Sequence, residues 1–410
     1  MKTNDTNQTP LPSGGDGGGF FPSDEAGAQF NPIVRRGTHC YKWDEAEEED
    51  IIPMWVADMD FCVAPAIQQA VERRARHGVY GYTLVDESYY EAIISWFSRR
   101  HHWTIDRQSI LYTTGVVPAV SCAIKALAMP GEQVVIMSPV YNCFYSSIKN
   151  NGCIALESPL REVDGRWEID WTDLEAKLAE EKSTILLLCN PHNPTGRLWT
   201  RDELERVNEL CIQNGVRVVS DEIHCELVMP GHTFQPFATV SEACRRNSVI
   251  LNSPSKSFNT AGLQIANIIC DDPAMRRRIN RAININEVCD VNPFGPEALK
   301  AAYNESEDWL DALNQYLFGN YQRLCSWVSE EHPELRVAPL EGTYLAWVDI
   351  RALGCSSDEL TERLLHEAHV QVSSGTLYGR QTGEGFIRLN LACPRSQLDE
   401  ALRRIGACLS

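Results

Sequence analysis

Val249-Ile250-Leu251-Asn252-Ser253-Pro254-Ser255-Lys256-Ser257-Phe258-Asn259 joins a short apolar run to a hydroxyl-rich turn that holds one lysine. The apolar run reads as a buried strand, with Lys256 just beyond its C-terminal end and a glycine turn at Gly262 after it. A lysine flanked by two hydroxyls suits a core poorly. It suits the capture of an aldehyde that carries a phosphate, because the amine can form a Schiff base and Ser253 and Ser255 can hydrogen-bond phosphate oxygens. Taken alone, the string is an ordinary solvated serine turn. The rest of the chain decides between the two.

Around this stretch, from about 71 to 290, helices alternate with short apolar strands. The pattern predicts a helix over 118–129 and strands over 133–137, 184–189, 216–220, 248–252 and 266–270. A further helix is predicted over 202–214, with Thr200 and Glu203 spaced for a capping box and Gly215 as its stop. Near-continuous apolar strands separated by helices predict an α/β fold: a mainly parallel sheet sandwiched by helices. The pattern changes towards the C-terminus, where a long helix over about 297–331 leads to strands at 343–349 and 385–391 with a helix between them. That predicts a smaller α+β domain. The expected division is a disordered tail over 1–30, an N-terminal segment over 31–70 that packs on the small domain, a large domain over 71–296 and the small domain over 297–410. An acidic run from Asp44 to Asp50 reads as a solvated loop face. No internal repeat is found.

Composition narrows the function classes. A net charge of −19 over 410 residues disfavours nucleic acid and anionic membrane surfaces as partners, and serves solubility. The 15 cysteines are scattered singly without a C-x-x-C pair, as expected of reduced, mostly buried thiols in a cytoplasmic protein. The first 30 residues, with Gly14-Gly15-Asp16-Gly17-Gly18-Gly19, lack an apolar core and read as a tail, neither a signal peptide nor a phosphate loop. No run of about 18 apolar residues predicts a membrane span.

In an open α/β sheet, ligands bind beyond the carboxyl ends of the strands. Four segments fall there. Thr113-Thr114-Gly115-Val116-Val117-Pro118 opens a helix, with Pro118 expected at the first helical position, and free N–H groups at a helix start seat a phosphate. Its plainer alternative is a simple helix start. Cys189-Asn190-Pro191-His192-Asn193-Pro194-Thr195-Gly196 fixes a rigid turn from which Asn193 could donate to a phenolic oxygen, or which merely reverses the chain. Asp221 ends a buried strand, where a carboxylate needs a cationic partner such as a protonated pyridine nitrogen; its alternative is a cap. Lys256 is the fourth. Asn193, Asp221 and Lys256 are spaced at one or two β-α units, so successive strands deliver them to one sheet edge.

These residues resemble those of fold-type I pyridoxal-phosphate enzymes of the class I/II aminotransferase superfamily, over nearly everything from residue 31 onward. More narrowly the chain resembles the C–S β-lyase branch, the aminotransferase-like cystathionine β-lyases of MalY/PatB type. The strings that carry it are Met54-Trp55-Val56-Ala57-Asp58-Met59-Asp60-Phe61, Tyr80-Gly81-Tyr82, Ser220-Asp221-Glu222-Ile223-His224, the lysine run and Phe386-Ile387-Arg388-Leu389-Asn390-Leu391-Ala392-Cys393-Pro394-Arg395. The resemblance implies that Lys256 carries pyridoxal 5'-phosphate covalently and acts as the base. It implies that Asp221 pairs with the ring nitrogen, Asn193 with the ring hydroxyl, and that Tyr141 stacks on the ring. Val116, Val117, Ser253 and Ser255 would bind the phosphate, with Tyr82 reaching the phosphate of a neighbouring subunit in a homodimer with shared sites. Arg388 would clamp the substrate α-carboxylate, with Asp58 also on the substrate side.

Two positions depart from the common aminotransferase pattern. His224 stands where many place a tyrosine, and Gln264 where many place an arginine. The histidine also occurs in the lyase branch and favours elimination over transamination. The resulting expectation is a lyase that splits cystathionine or a related S-substituted L-cysteine into thiol, pyruvate and ammonia. An aminotransferase acting on an amino acid and a 2-oxo acid stays open, as does an interaction protein on a retained enzyme scaffold. His224-Cys225-Glu226 mimics the H-x-E of zinc deaminases without the P-C-x-x-C that should follow. His366-Glu367-Ala368-His369 has the wrong spacing for H-E-x-x-H. No metal and no nicotinamide site is expected.

Overall fold

The computed structural model describes residues 30–46, 48–285 and 290–410. The tail expected over 1–30 lies outside the described residues except for Phe30, and so does Glu47 of the acidic run. Phe30 itself is no part of a loose tail. It is buried, with its ring centroid 5.1 Å from that of Phe61 and 5.0 Å from that of Tyr316.

Seven strands form the central sheet: β1 (Ile110–Thr113), β2 (Gln133–Ser138), β3 (Ile154–Pro159), β4 (Ser183–Cys189), β5 (Arg217–Asp221), β6 (Ser248–Asn252) and β7 (Ala266–Ile269). Their spatial order is β1-β7-β6-β5-β4-β2-β3. The run from β3 to β6 is parallel, whereas β7 is antiparallel to both its neighbours. Every residue of β6 is buried, as a strand covered on both faces requires. Among the helices around the sheet are α1 (Glu87–His101), α2 (Val116–Leu127) and α3 (Arg201–Gln213). Thr200 and Glu203 cap α3 reciprocally, and Gly215 ends the turn after it at φ +71°.

Register sets the site. Cys189 lies opposite Asp221, and Asp221 opposite Leu251, so three parallel strands finish nearly level. The segments that follow them are thereby delivered to one edge. Helix α2 starts two residues earlier than expected, which makes Pro118 its third residue and not its first.

The helix expected over 297–331 is two helices, α4 (Gly295–Glu305) and α5 (Glu307–Glu331). Ser306 breaks them: its hydroxyl donates to the Ala301 carbonyl (3.0 Å), a side-chain bond that competes with the helical ladder. Beyond α5, β8 (Arg336–Val337), β9 (Leu345–Asp349), β10 (Ser373–Ser374) and β11 (Phe386–Asn390) form an antiparallel sheet in the order β8-β9-β11-β10. The segment 52–60 is laced on to this part of the chain. Ile52 pairs with Val370 and Pro53 with Gln371, Asn390 N donates to Met54 O (2.8 Å), and Asp60 N to Ala392 O (2.9 Å). The same segment is tied to the lysine turn. Asn259, at φ +55°, accepts from Met59 N (3.0 Å) and donates to Phe61 O (2.9 Å).

Candidate active site

A cavity of about 440 Å³ opens at the carboxyl edge of β4, β5 and β6. Lys256, Asp221, Asn193 and His224 line it, together with Tyr141, Val116, Val117 and Ser255. Five separate segments of sequence thus meet around one space.

Lys256 Nζ donates to the Ala57 carbonyl at 2.6 Å. Burial lowers its pKa to about 8, with the Asp58 carboxylate opposing the shift and Arg388 adding to it. About a tenth of the amine is therefore free at pH 7, far more than at an ordinary lysine. Burial moves Asp221 the other way, up to about 7, although its Oδ1 accepts from Ile223 N (3.1 Å). A carboxyl so placed gains most from a cationic partner. His224 is driven well below its usual range by burial and then by the charges of Lys256 and Arg388, which leaves a neutral imidazole. Its Nδ1 has no hydrogen-bond partner, and its ring meets the edge of Tyr344 at 5.9 Å.

The start of α2 faces this cavity through Gly115, Val116 and Val117. No side chain caps the helix, Ala119 N already donates to Gly115 O (3.0 Å), and Pro118 has no N–H. The first turn is left with two unspent donors, Val116 N and Val117 N, at the positive end of the helix dipole. That is a seat for an anion. Tyr141 precedes the helix Asn142–Asn150, and burial raises its phenol, which stays neutral.

Arg388 lies on β11 and reaches the rim. Nη1 donates to Asn193 Oδ1 (3.0 Å), Nη2 donates to the Trp55 carbonyl (2.8 Å), and the guanidinium sits 4.6 Å over the Tyr378 ring. The residue is buried, its Nε has no hydrogen-bond partner, and none of the ion pairs among the described residues includes it. A buried cation without an anion is costly unless a guest carboxylate completes it. With Arg388 holding the Asn193 oxygen, the NH2 end of that amide is free to donate to a ligand.

Residues 53–405 match the family model for aminotransferase class I and II. The chain belongs to this aminotransferase family. Within it, the chain is 42% identical over 380 residues to cystathionine beta-lyase PatB of Bacillus subtilis, covering 92% of this chain and 98% of that one. It is 37% identical to protein MalY of Escherichia coli, with 91% and 96% covered. The solved structure of the PLP-bound C-S lyase from Staphylococcus hominis superposes with a TM-score of 0.87 at 31% identity, covering 93% of this chain and 98% of that chain.

Four of the residues expected at the site of this aminotransferase-family chain do not line the cavity: Arg388 meets it only through its bond to Asn193, and Ser253, Asp58 and Tyr82 stand apart. Ser253 is buried, but its hydroxyl donates to Ile265 O (2.6 Å) and accepts from Ser255 N (3.0 Å), so it caps the short helix Pro254–Ser257 and is not free for a phosphate. Asp58 is held by Arg35 (2.7 Å) and Lys42 (3.5 Å) in a network that also takes in Asp60. Its charge reaches Lys256, while its oxygens serve the N-terminal segment. Tyr82 is 97% exposed and touches nothing at this chain's own cavity. Two participants escaped the sequence: the carbonyls of Trp55 and Ala57, which hold Arg388 and Lys256. Both lie in the Met54–Phe61 string, but a backbone oxygen leaves no mark on residue type. Thr114, Cys189, Ile223 and Gln264 line the cavity too.

Proposed function

We propose that this chain is a pyridoxal-phosphate-dependent carbon–sulfur β-lyase that splits cystathionine or a related S-substituted L-cysteine into a thiol, pyruvate and ammonia. Its similarity over nearly its whole length to PatB, named a cystathionine beta-lyase, carries this assignment. The donor set supports the cofactor. An amine of lowered pKa, a buried carboxyl that lacks a cation, an amide NH2 and two unspent helix N–H groups surround one cavity. Together they match an aldehyde, a pyridinium, a phenolate and a phosphate. Bound there, pyridoxal phosphate supplies an aldehyde for amino groups and a ring that withdraws electrons from the substrate Cα.

The chain's own residues do the rest. Arg388 is left with its Nε–H and a second N–H on each terminal nitrogen for the substrate α-carboxylate, and Asn193 and Trp55 O fix its orientation. Lys256 Nζ takes the Cα proton as general base, a role its lowered pKa suits near neutral pH. Asp221 would hold the ring nitrogen protonated, and Val116 N, Val117 N and Ser255 would hold the phosphate. Tyr141 would stack on the ring. His224, neutral and beside Lys256, adds no charge that would compete for the proton. When the substrate Cβ–S bond breaks, sulfur leaves as thiol and the three-carbon remainder hydrolyses to pyruvate and ammonia. Tyr82 reaches the phosphate of a second copy, so the working form is a homodimer, and the compartment is the cytoplasm.

The test is incubation of the purified protein with L-cystathionine and no added oxo acid. Pyruvate and free thiol in equal amounts are expected. A strict requirement for a 2-oxo acid acceptor would make the protein an aminotransferase instead.

A further inference from the structure

Outside the catalytic cavity a second cluster joins three parts of the chain. His101 ends α1, Cys225 and Glu226 follow His224 in the loop beyond β5, and Asn314 lies on α5. The ligating atoms of His101, Cys225 and Glu226 all lie within 4.8 Å of one another. His101 Nε2 is 2.7 Å from Glu226 Oε1, which also accepts from Trp96 Nε1 (2.7 Å), and Cys225 Sγ is 3.8 Å from the same oxygen. Glu226 is 3% exposed, and its Oε2 has no hydrogen-bond partner. Arg100 Nε stands 3.6 Å from that oxygen, but the Arg100 guanidinium is anchored elsewhere, on Asp311 (2.9 Å) and Glu307 (3.2 Å). Asn314 donates to the Glu226 carbonyl (2.8 Å), and its buried Oδ1 is likewise unpartnered. These residues border a cavity of about 630 Å³ that His232 also lines.

We infer that His101, Cys225 and Glu226 form a binding site for one zinc ion, which pins α1 to the loop that carries His224. An imidazole, a thiol and a carboxylate are the ligand types zinc takes, whereas calcium and magnesium take oxygen alone. Zinc binding displaces the Cys225 thiol proton to solvent, breaks the His101 Nε2–Glu226 Oε1 hydrogen bond with the imidazole proton carried on Nδ1 instead, and gives Glu226 Oε2 a bond where it has only the 3.6 Å ion pair with Arg100. A fourth position is left to water from the cavity that these residues border. None of its three ligands lines the catalytic cavity.

Untagged holoenzyme is exposed to zinc chloride, dialysed, and assayed for zinc by atomic emission beside His101→Gln and Cys225→Ala. The native protein is expected to hold one zinc per chain, and each variant to lose it while keeping native circular dichroism. No retained zinc in the native protein, or unchanged zinc in either variant, overturns the site. Should a variant fail to fold, zinc-edge X-ray absorption of the native protein decides. One sulfur at about 2.3 Å with lighter ligands at about 2.0 Å is expected, and a shell without sulfur overturns the site.

Discussion

Burial holds the Lys256 amine at a pKa of about 8, and this one number has a kinetic consequence. Only the unprotonated amine attacks an aldehyde, and a lowered pKa means that it is already unprotonated above about pH 8. Capture of pyridoxal phosphate by the apoenzyme, followed by stopped-flow absorbance, should rise with pH through about 8 and then level off. A rate that keeps climbing towards roughly 10.4, the ordinary lysine value, would show an unshifted amine. Lys256→Ala should lose the cofactor's protein-bound absorbance and the lyase activity together. Arg388 poses the complementary question, because its buried charge has no carboxylate partner among the described residues. Arg388→Ala should weaken amino-acid binding by about 2–5 kcal/mol while the cofactor stays bound. Titration of the holoenzyme's visible spectrum with a substrate analogue reads both effects at once, and cofactor loss would show the arginine misassigned. Arg388→Lys should restore little, since an ammonium cannot span Asn193 and Trp55 O and still meet a carboxylate.

At the level of the element, the start of α2 is the part most open to a clean experiment. Val116 is the first helical residue, where proline is tolerated because no intrahelical bond uses its N–H. Val116→Pro therefore removes one of the two unspent donors and leaves the helix standing. It should weaken retention of the cofactor by about 1.5–3 kcal/mol, the range for a hydrogen bond to a charged group, without lowering the thermal stability of the apoenzyme. Equal retention would move the phosphate elsewhere. The same helix shows what sequence could and could not convey. The glycine before it, the strand-end Asp221, the rigid Asn193 turn and the lysine turn were all legible, because each breaks a local rule that a core or a plain loop would keep. The antiparallel sense of β7 was not, since an apolar run marks burial and carries no direction. Nor was the break at Ser306, because a serine suits a helix surface until its hydroxyl finds a carbonyl. Ser253 misled for a related reason: a serine before a helix and a serine for a phosphate look the same until the Ile265 carbonyl claims the hydroxyl.

The whole molecule raises the question of how many copies make one working site. We propose that segment 31–70 and residues 297–410 act as a smaller domain beside 71–296, with segment 52–60 passing the active site on its way between them. What that assembly leaves outside is a cluster of bare apolar and aromatic side chains: Val79, Tyr80, Tyr82 and Leu84 are all exposed, Tyr82 almost completely. A surface of this kind is stabilised by burial against another chain. If Tyr82 serves the phosphate in a second copy, the two sites of a homodimer each draw on both chains, and two defective chains can repair one another. Lys256→Ala destroys the site that its own lysine would serve, and Tyr82→Ala damages the partner's site. Random mixing of equal amounts gives about half heterodimers, each with one intact site of two, or about a quarter of native activity. Both variants are unfolded and refolded together, and the lyase rate is compared with the mean of the two refolded alone. A mixture clearly above that mean places Tyr82 across the interface, while a mixture at the mean, with the protein still dimeric by sedimentation, puts each site within a single chain.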